Sequence, residues 1–142
     1  MTYLDTGCFV KLYYPEPDSA KVVAAIQGKP VCYSPLHELE LANALQLKVF
    51  FKGATAAQVT AARALVEADL KSGVLVSVGG EWKDIVQEAV KLAEQHTATL
   101  GCRSLDILHC AAAKVLAATE FVSTDGRQKK LAAAMGLNLV AI

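Results

Sequence analysis

Five short apolar runs, each set off by turn residues and separated by helix-length segments, most constrain what this chain can fold into. They are Tyr3-Leu4, Pro30-Val31-Cys32-Tyr33-Ser34, Val74–Val78, Glu120-Phe121-Val122-Ser123-Thr124 and Leu137–Ile142. Runs this short are too brief for helices and read as strands. The Val74–Val78 run has little alternation, which predicts a strand buried on both faces. Between the runs lie segments with helix start and stop signals. Residues 6–14 end at Pro15 and Pro17, and 20–27, capped by Asp18 or Ser19, stop at Gly28. Pro35 opens a helix to about Phe51 that ends at Gly53, and Thr55 caps one reaching Lys71 with Gly73 as its stop. Helices then follow from Glu81 to about Gln95, from about Leu105, and up to Met135 before Gly136. Strands alternating with helices predict an α/β fold: a three-layer α/β/α sandwich with a mainly parallel central sheet, in a single domain over residues 1–142.

The segment from Leu105 to Ala118 narrows the function. Its only charges are Asp106 and Lys114, and His109 is its one other strongly polar side chain. On a helix, Leu105, Leu108, Ala112, Val115 and Leu116 form an apolar stripe, while His109, Cys110 and Ala113 share the face of Asp106. The helix therefore reads as largely buried. A carboxylate there must be hydrogen-bonded, protonated or bound to a cation. Asp5 and Asp125 directly follow the first and fourth runs, which places both at the carboxyl rim of a parallel sheet, where ligands bind. Each also suits a helix N-cap. Glu38 and Glu40 lie about 200° apart on their helix, and both of their faces are apolar, so periodicity leaves the choice between them open.

Carboxylates gathered at one rim repel one another, and a divalent cation removes that penalty. Oxygen-only ligands favour Mg²⁺ or Mn²⁺ over softer metals, and such a site activates water for attack on phosphorus. No Ser-His-Asp or Cys-His signature competes with this reading. Cys8, Cys32, Cys102 and Cys110 form no CxxC pair and read as reduced thiols of a cytoplasmic protein. Lys+Arg and Asp+Glu number 14 each, which argues against binding nucleic acid by bulk positive charge but leaves room for a local basic patch. The start lacks a signal peptide, and no apolar stretch is long enough for a membrane span.

In order and spacing, Asp5, Glu40, Asp106 and Asp125 resemble the acids of PIN-domain nucleases, most closely the VapC-type toxins of toxin–antitoxin pairs. Tyr3-Leu4-Asp5-Thr6 is similar to the opening motif. Ser34-Pro35-Leu36-His37-Glu38-Leu39-Glu40 resembles the second, with the acid six residues after Ser, which selects Glu40; Asn43-Ala44-Leu45 continues it. Leu105-Asp106-Ile107-Leu108-His109-Cys110-Ala111 is similar to the third motif, and Phe121 to Asp125, with Ala133, Gly136 and Leu137, to the last. The resemblance implies an endoribonuclease that holds one or two Mg²⁺ or Mn²⁺ ions on those four acids. It implies action on structured RNA such as tRNA or rRNA, a small antitoxin partner, and a homodimer. Ser123 matches a hydroxyl residue that supports the site, and with Arg127 and Arg103 it makes up the substrate-side set. Gly7, where the family often has Ser or Asn, and Thr124, where an aromatic residue is common, depart from the pattern. The alternatives are a housekeeping PIN nuclease without an antitoxin and an inactive PIN scaffold. A phospho-acceptor receiver is disfavoured because the Val74–Val78 run ends in Gly79-Gly80 rather than Asp.

The remaining residues carry plainer expectations. His109 has two readings, a residue on the Asp106 face that bonds an acid or a phosphate and, favoured over it, a packed histidine satisfied by the backbone; His37 and His96 read as surface or cap residues. Trp82 reads as a core anchor. Tyr13 and Tyr14 are candidates for packing against an antitoxin or second subunit. Lys129 and Lys130 read as a solvated face, with Arg127 and Arg103 nearer the acids.

Overall fold

A computed structural model describes residues 1–142. The strands are β1 (Thr2–Leu4), β2 (Val31–Tyr33), β3 (Leu75–Ser77) and β4 (Glu120–Val122). They form one sheet in the order β3-β2-β1-β4, and every pairing is parallel. The chain steps outward from β1 to β2 to β3, then crosses back to lay β4 on the other side of β1. The direction of winding thus reverses between β1 and β4, and Asp5 and Asp125 follow those two strands.

Helices α1 (Thr6–Tyr13), α2 (Ser19–Ile26), α3 (Pro35–Phe50) and α4 (Ala56–Ser72) connect the first three strands. After β3 come α5 (Trp82–Leu92), a π-helical turn (Ala93–Thr97), α6 (Ala98–Leu100) and α7 (Ser104–Val115), and after β4 comes α8 (Gly126–Ala134). Two buried clusters show how the layers divide. Leu4, Val31 and Val122 point into one with Phe9, Val22, Leu45 and Val66 of α1 to α4. Tyr3, Cys32 and Phe121 point into the other with Ile85, Ile107, Ala111 and Leu131 of α5, α7 and α8. Neighbouring strand residues face opposite layers, as the pleat requires, and the sheet is covered on both sides. The expected α/β/α sandwich is therefore what forms. No helix is long and apolar enough to cross a membrane.

Local signals act where expected. Ser34 and His37 close a capping box at the start of α3, with Pro35 in the first turn. Thr55 and Gln58 close another at α4. Gly73 and Gly136 adopt φ of 81° and 78° at the helix ends, conformations that cost an L side chain more. Asp18 precedes α2 in a left-handed conformation, φ 70°, but its side chain makes no cap bond.

Several expectations need correction. The Val74–Val78 strand is not buried on both faces: β3 is the sheet edge, Ser77 is exposed and Val74 is 41% exposed. Leu137–Ile142 contributes only a single parallel bridge, Phe121 to Leu139, rather than a full strand. α7 is largely buried, as expected, with Asp106, Ile107, His109, Cys110, Ala111, Ala112 and Ala113 inside, but Leu105 of the apolar stripe turns outward at 49% exposed. Trp82 is 36% exposed at the first residue of α5, whose buried stripe is Ile85, Ala89 and Leu92. Tyr13 is buried, with its hydroxyl donating to Asp69 at 2.9 Å, so it presents no surface to a partner.

Candidate active site

At the winding reversal a cleft of about 590 Å³ opens beyond the carboxyl ends of β1 and β4. Asp5, Glu40, Asp106 and Asp125 all line it, joined by Thr6, Gly7, Arg103, Ser104, Leu105, His109, Thr124 and Gln128. Leu105 is the one apolar side chain in the lining and Arg103 the one with a fixed positive charge. Glu38 is elsewhere, beside Tyr33 and Arg63 against α4. Of the two glutamates, Glu40 is the one that lines the cleft.

Asp5 and Asp125 are built alike. Asp5 caps α1 with Oδ1, which accepts from the Cys8 N–H at 2.7 Å. Its Oδ2 accepts from the Ser123 hydroxyl. Asp125 caps α8 with Oδ1, which accepts from the N–H groups of Arg127 and Gln128 at 2.7 and 3.2 Å. Ser123 Oγ in turn accepts from the Asp125 N–H at 2.9 Å, so one buried hydroxyl ties the two caps together. That placement corrects the assignment of Ser123 to the substrate side: it is fully buried and supports the acids.

Glu40 reaches the cleft from α3, where it accepts from the Thr6 hydroxyl and the His109 ring Nε2. His109 is not satisfied by the backbone, as expected from sequence, but by side chains. Its Nδ1 lies 3.0 Å from the hydroxyl of Tyr3, which is itself buried. Burial pushes the Tyr3 phenol far up, so it remains a donor. With the phenol donating to Nδ1, the ring proton sits on Nε2 and is aimed at Glu40. Burial pushes the Glu40 carboxyl up, but the bonds from His109 and Thr6 outweigh it and hold its pKa below the ordinary value. His37 is a cap residue, one of the two expectations for it, but it is fully buried, with its ring against those of Tyr3 and Phe9. It lies 2.8 Å from the Leu4 carbonyl through Nε2, and its Nδ1 accepts from the Ser34 N–H at 3.1 Å. Burial first, and the nearby His109 second, depress its pKa to about 3.

Asp106 stands in the first turn of α7, where the helix dipole favours an acid. Arg103 donates to it through Nε at 2.9 Å and Nη2 at 3.4 Å, and Nη2 also lies 3.1 Å from Asp125 Oδ2. Burial raises the Asp125 carboxyl, but its backbone cap bonds and Arg103 hold it low overall. Arg127 is exposed and does not line the cleft. The sequence reading passed over Thr6, Tyr3 and Gln128 as site residues. Thr6 adjoins Asp5 and was visible in principle; Tyr3 reaches His109 only through tertiary packing. Gln128 is buried, with Nε2 3.5 Å from the Asp106 carbonyl and Oε1 without a partner.

The donor set, carboxylate oxygen only, suits a hard divalent cation. In the arrangement seen, no three His, Cys, Asp or Glu side chains stand close enough to share one, and the Arg103 guanidinium spans Asp106 and Asp125. The donor set suits such an ion in kind, while Arg103 occupies the Asp106 and Asp125 oxygens that would be offered to it.

A family model described as PIN domain matches residues 2–134. No curated protein matches the chain. Among solved structures, a chain of FitAcB from Neisseria gonorrhoeae aligns over 99% of this chain and 97% of its own, at 15% identity and a TM-score of 0.61. A chain of VapBC2 from Rickettsia felis, bound to a DNA fragment from its promoter, aligns over 99% and 98%, at 15% identity and a TM-score of 0.64. At that identity the likeness is one of fold.

Proposed function

Since the chain belongs to the PIN-domain family, we propose that it is a metal-dependent endoribonuclease, the toxin half of a toxin–antitoxin pair, built as one domain over residues 1–142. The observation that carries this reading is the gathering of Asp5, Glu40, Asp106 and Asp125 in one cleft at the winding reversal. When bound by those acids, Mg²⁺ or Mn²⁺ supplies Lewis acidity toward a phosphoryl oxygen and the attacking water. The chain's own residues position the acids. Ser123 and the Cys8 N–H fix Asp5, Thr6 and His109 aim Glu40, and backbone donors of α8 hold Asp125. Cys8 and Cys110 are unsuited as nucleophiles: both are fully buried, and burial pushes Cys110 up to about 12 and Cys8 higher still. Water activated at the acids is the proposed attacking group.

Structured RNA, tRNA or rRNA, is the proposed substrate because the resemblance to the VapC-type toxins implies it, and the open polar cleft is compatible with a phosphodiester backbone. An antitoxin partner is supported by the likeness in fold to the FitAcB and VapBC2 chains. It is supported too by an apolar hollow of Val10, Ala44, Leu47 and Phe51 that shares Thr6 and Gly7 with the cleft. Phe51 of the hollow is 73% exposed, and the adjoining Phe50 is 76% exposed. Exposed Val86 and Val90 on α5 offer a face for a homodimer. Four free cysteines fit a reducing cytoplasm. An inactive scaffold is the second reading, favoured by Arg103 lying across two of the acids.

The test is cleavage of a total tRNA and rRNA pool by purified, antitoxin-free protein, with Mg²⁺, with Mn²⁺ and with chelator. Discrete fragments that require both the metal and Asp106, and vanish in Asp106→Asn, are expected. Equal cutting by Asp106→Asn refutes the metal site; no cutting by a folded, metal-binding wild type favours the scaffold.

A further inference from the structure

The four acids of the cleft are neutralised in two different ways. Asp5 and Glu40 are held by donors without a fixed charge: the Cys8 N–H, the hydroxyls of Ser123 and Thr6, and the His109 ring. Asp106 and Asp125 instead share one guanidinium. Arg103 meets both oxygens of Asp106, and its Nη2 also meets the Asp125 oxygen that the α8 cap leaves free. Its backbone is the N-cap residue of α7, yet its side chain makes no cap bond. The side chain is committed to the cleft.

Arg103 is also loosely held. Its side chain is 59% exposed, against 13% for Asp106 and 34% for Asp125. An ion pair with so exposed a partner is weak, because water competes for both ends. Asp106 and Asp125 would offer a divalent cation the oxygens that the guanidinium now occupies, and like charges would disfavour its entry while Arg103 remains. Once turned out, a planar guanidinium tethered at the cleft rim is well matched to a phosphate, which it can grip through two parallel bonds.

We propose that Arg103 and a divalent cation compete for Asp106 and Asp125, and that cation binding releases Arg103 to hold the RNA phosphate at the mouth of the cleft. This rests on the metal-dependent nuclease reading above. Arg103 thereby couples the two ligands: the metal makes the chain better at binding RNA partly by freeing an arginine.

Two binding measurements on the purified chain test it without any turnover. Titration calorimetry with Mn²⁺ alone compares wild type, Arg103→Gln and Asp106→Asn. Arg103→Gln is expected to bind Mn²⁺ about two- to fivefold more tightly, on the order of one exposed ion pair removed. Anisotropy of a labelled tRNA with Ca²⁺ or with chelator then compares wild type and Arg103→Gln. Without metal the two should bind RNA within about twofold, and with metal the variant should be weaker by about tenfold, the scale of one phosphate contact.

If Asp106→Asn loses Mn²⁺ binding but Arg103→Gln binds it no more tightly than wild type, the competition is overturned and the metal site stands. If neither wild type nor Arg103→Gln binds Mn²⁺, both readings fall. If Arg103→Gln weakens RNA binding equally with and without metal, Arg103 is a fixed phosphate contact and the release is overturned.

Discussion

The contact between the Tyr3 hydroxyl and His109 Nδ1 is the part of the site whose energy can be isolated most cleanly. It spans 106 residues of sequence and joins two side chains that are 0% and 3% exposed. Tyr3→Phe keeps the ring, and with it the 5.8 Å stack on Phe121 and the 4.6 Å approach to His37. It leaves Nδ1 buried without a donor, which costs about 1–3 kcal/mol. His109→Phe keeps an aromatic ring in place but strands the Tyr3 hydroxyl at a similar cost of about 1–3 kcal/mol. Glu40 also loses a partner, but its side chain is 19% exposed and can turn to water. The double variant removes both polar ends together and leaves nothing stranded between them. Its destabilisation should therefore fall short of the sum of the two singles by about 1–2 kcal/mol. Urea unfolding of all four proteins, followed by fluorescence, reads this coupling from the midpoints provided the slopes agree. Additivity within about 0.5 kcal/mol refutes the reasoning, since it would mean that the hydroxyl and the ring do not depend on each other.

Three further outcomes can be checked. Glu40→Gln should abolish RNA cleavage while Glu38→Gln retains it, because Glu40 lines the cleft and Glu38 packs near Arg63; the reverse ranking in the pool assay would place the site on the wrong face of α3. His37, depressed to about 3, stays neutral when folded but takes up a proton on unfolding below its ordinary value of 6.5, so the unfolded state binds more protons in that window. Stability should be flat above about pH 6.5 and fall by up to about 1.4 kcal/mol per unit below it, and urea midpoints for His37→Gln should show a shallower fall. Gly7→Ala should stabilise the chain by about 0.5–1 kcal/mol, because a Cβ there meets Asp5 Oδ1 at an ordinary 3.5 Å and the helix gains a better former; a lowered melting temperature would show that the contact with Asp5 is repulsive.

Much of this molecule was legible in the sequence because its signals are local. Pro35, Thr55, Gly73 and Gly136 mark helix ends by backbone chemistry that needs no tertiary context, and Asp5 and Asp125 follow strands directly. What stayed hidden depends on which neighbours the fold supplies. The Val74–Val78 run reads as interior by composition, but strand order decides that β3 has only β2 beside it. On α7 the burial of most of the helix was legible, but that Leu105 turns outward depends on the neighbours the fold supplies. A bond from His109 to an acid was one reading of its face on α7, but which acid, and Tyr3 as the second partner, could not be read because neither is near it in sequence. Arg103 was named for substrate phosphates, yet its position between Asp106 and Asp125 needs β4 and α7 brought side by side.

The two readings of Asp5 and Asp125, helix cap or active-site acid, turn out not to compete. A carboxylate has two oxygens, and in each residue Oδ1 satisfies the first N–H groups of the following helix while Oδ2 is left for another partner. Strand ends in a parallel sheet are where helices begin, and the winding reversal is where ligands bind, so one residue at that place serves both needs. The cap fixes the side chain's rotamer without using its charge. The choice of substitution therefore separates the roles. Asn caps a helix about as well as Asp, whereas Ala costs about 1 kcal/mol. Asp5→Asn and Asp125→Asn should melt within a few degrees of wild type yet lose Mn²⁺ binding, while Asp5→Ala and Asp125→Ala lose the same binding and unfold at distinctly lower urea. If the Asn variants are as unstable as the Ala ones, the charge rather than the cap bond holds these helix starts, and the division of labour between the two oxygens is wrong.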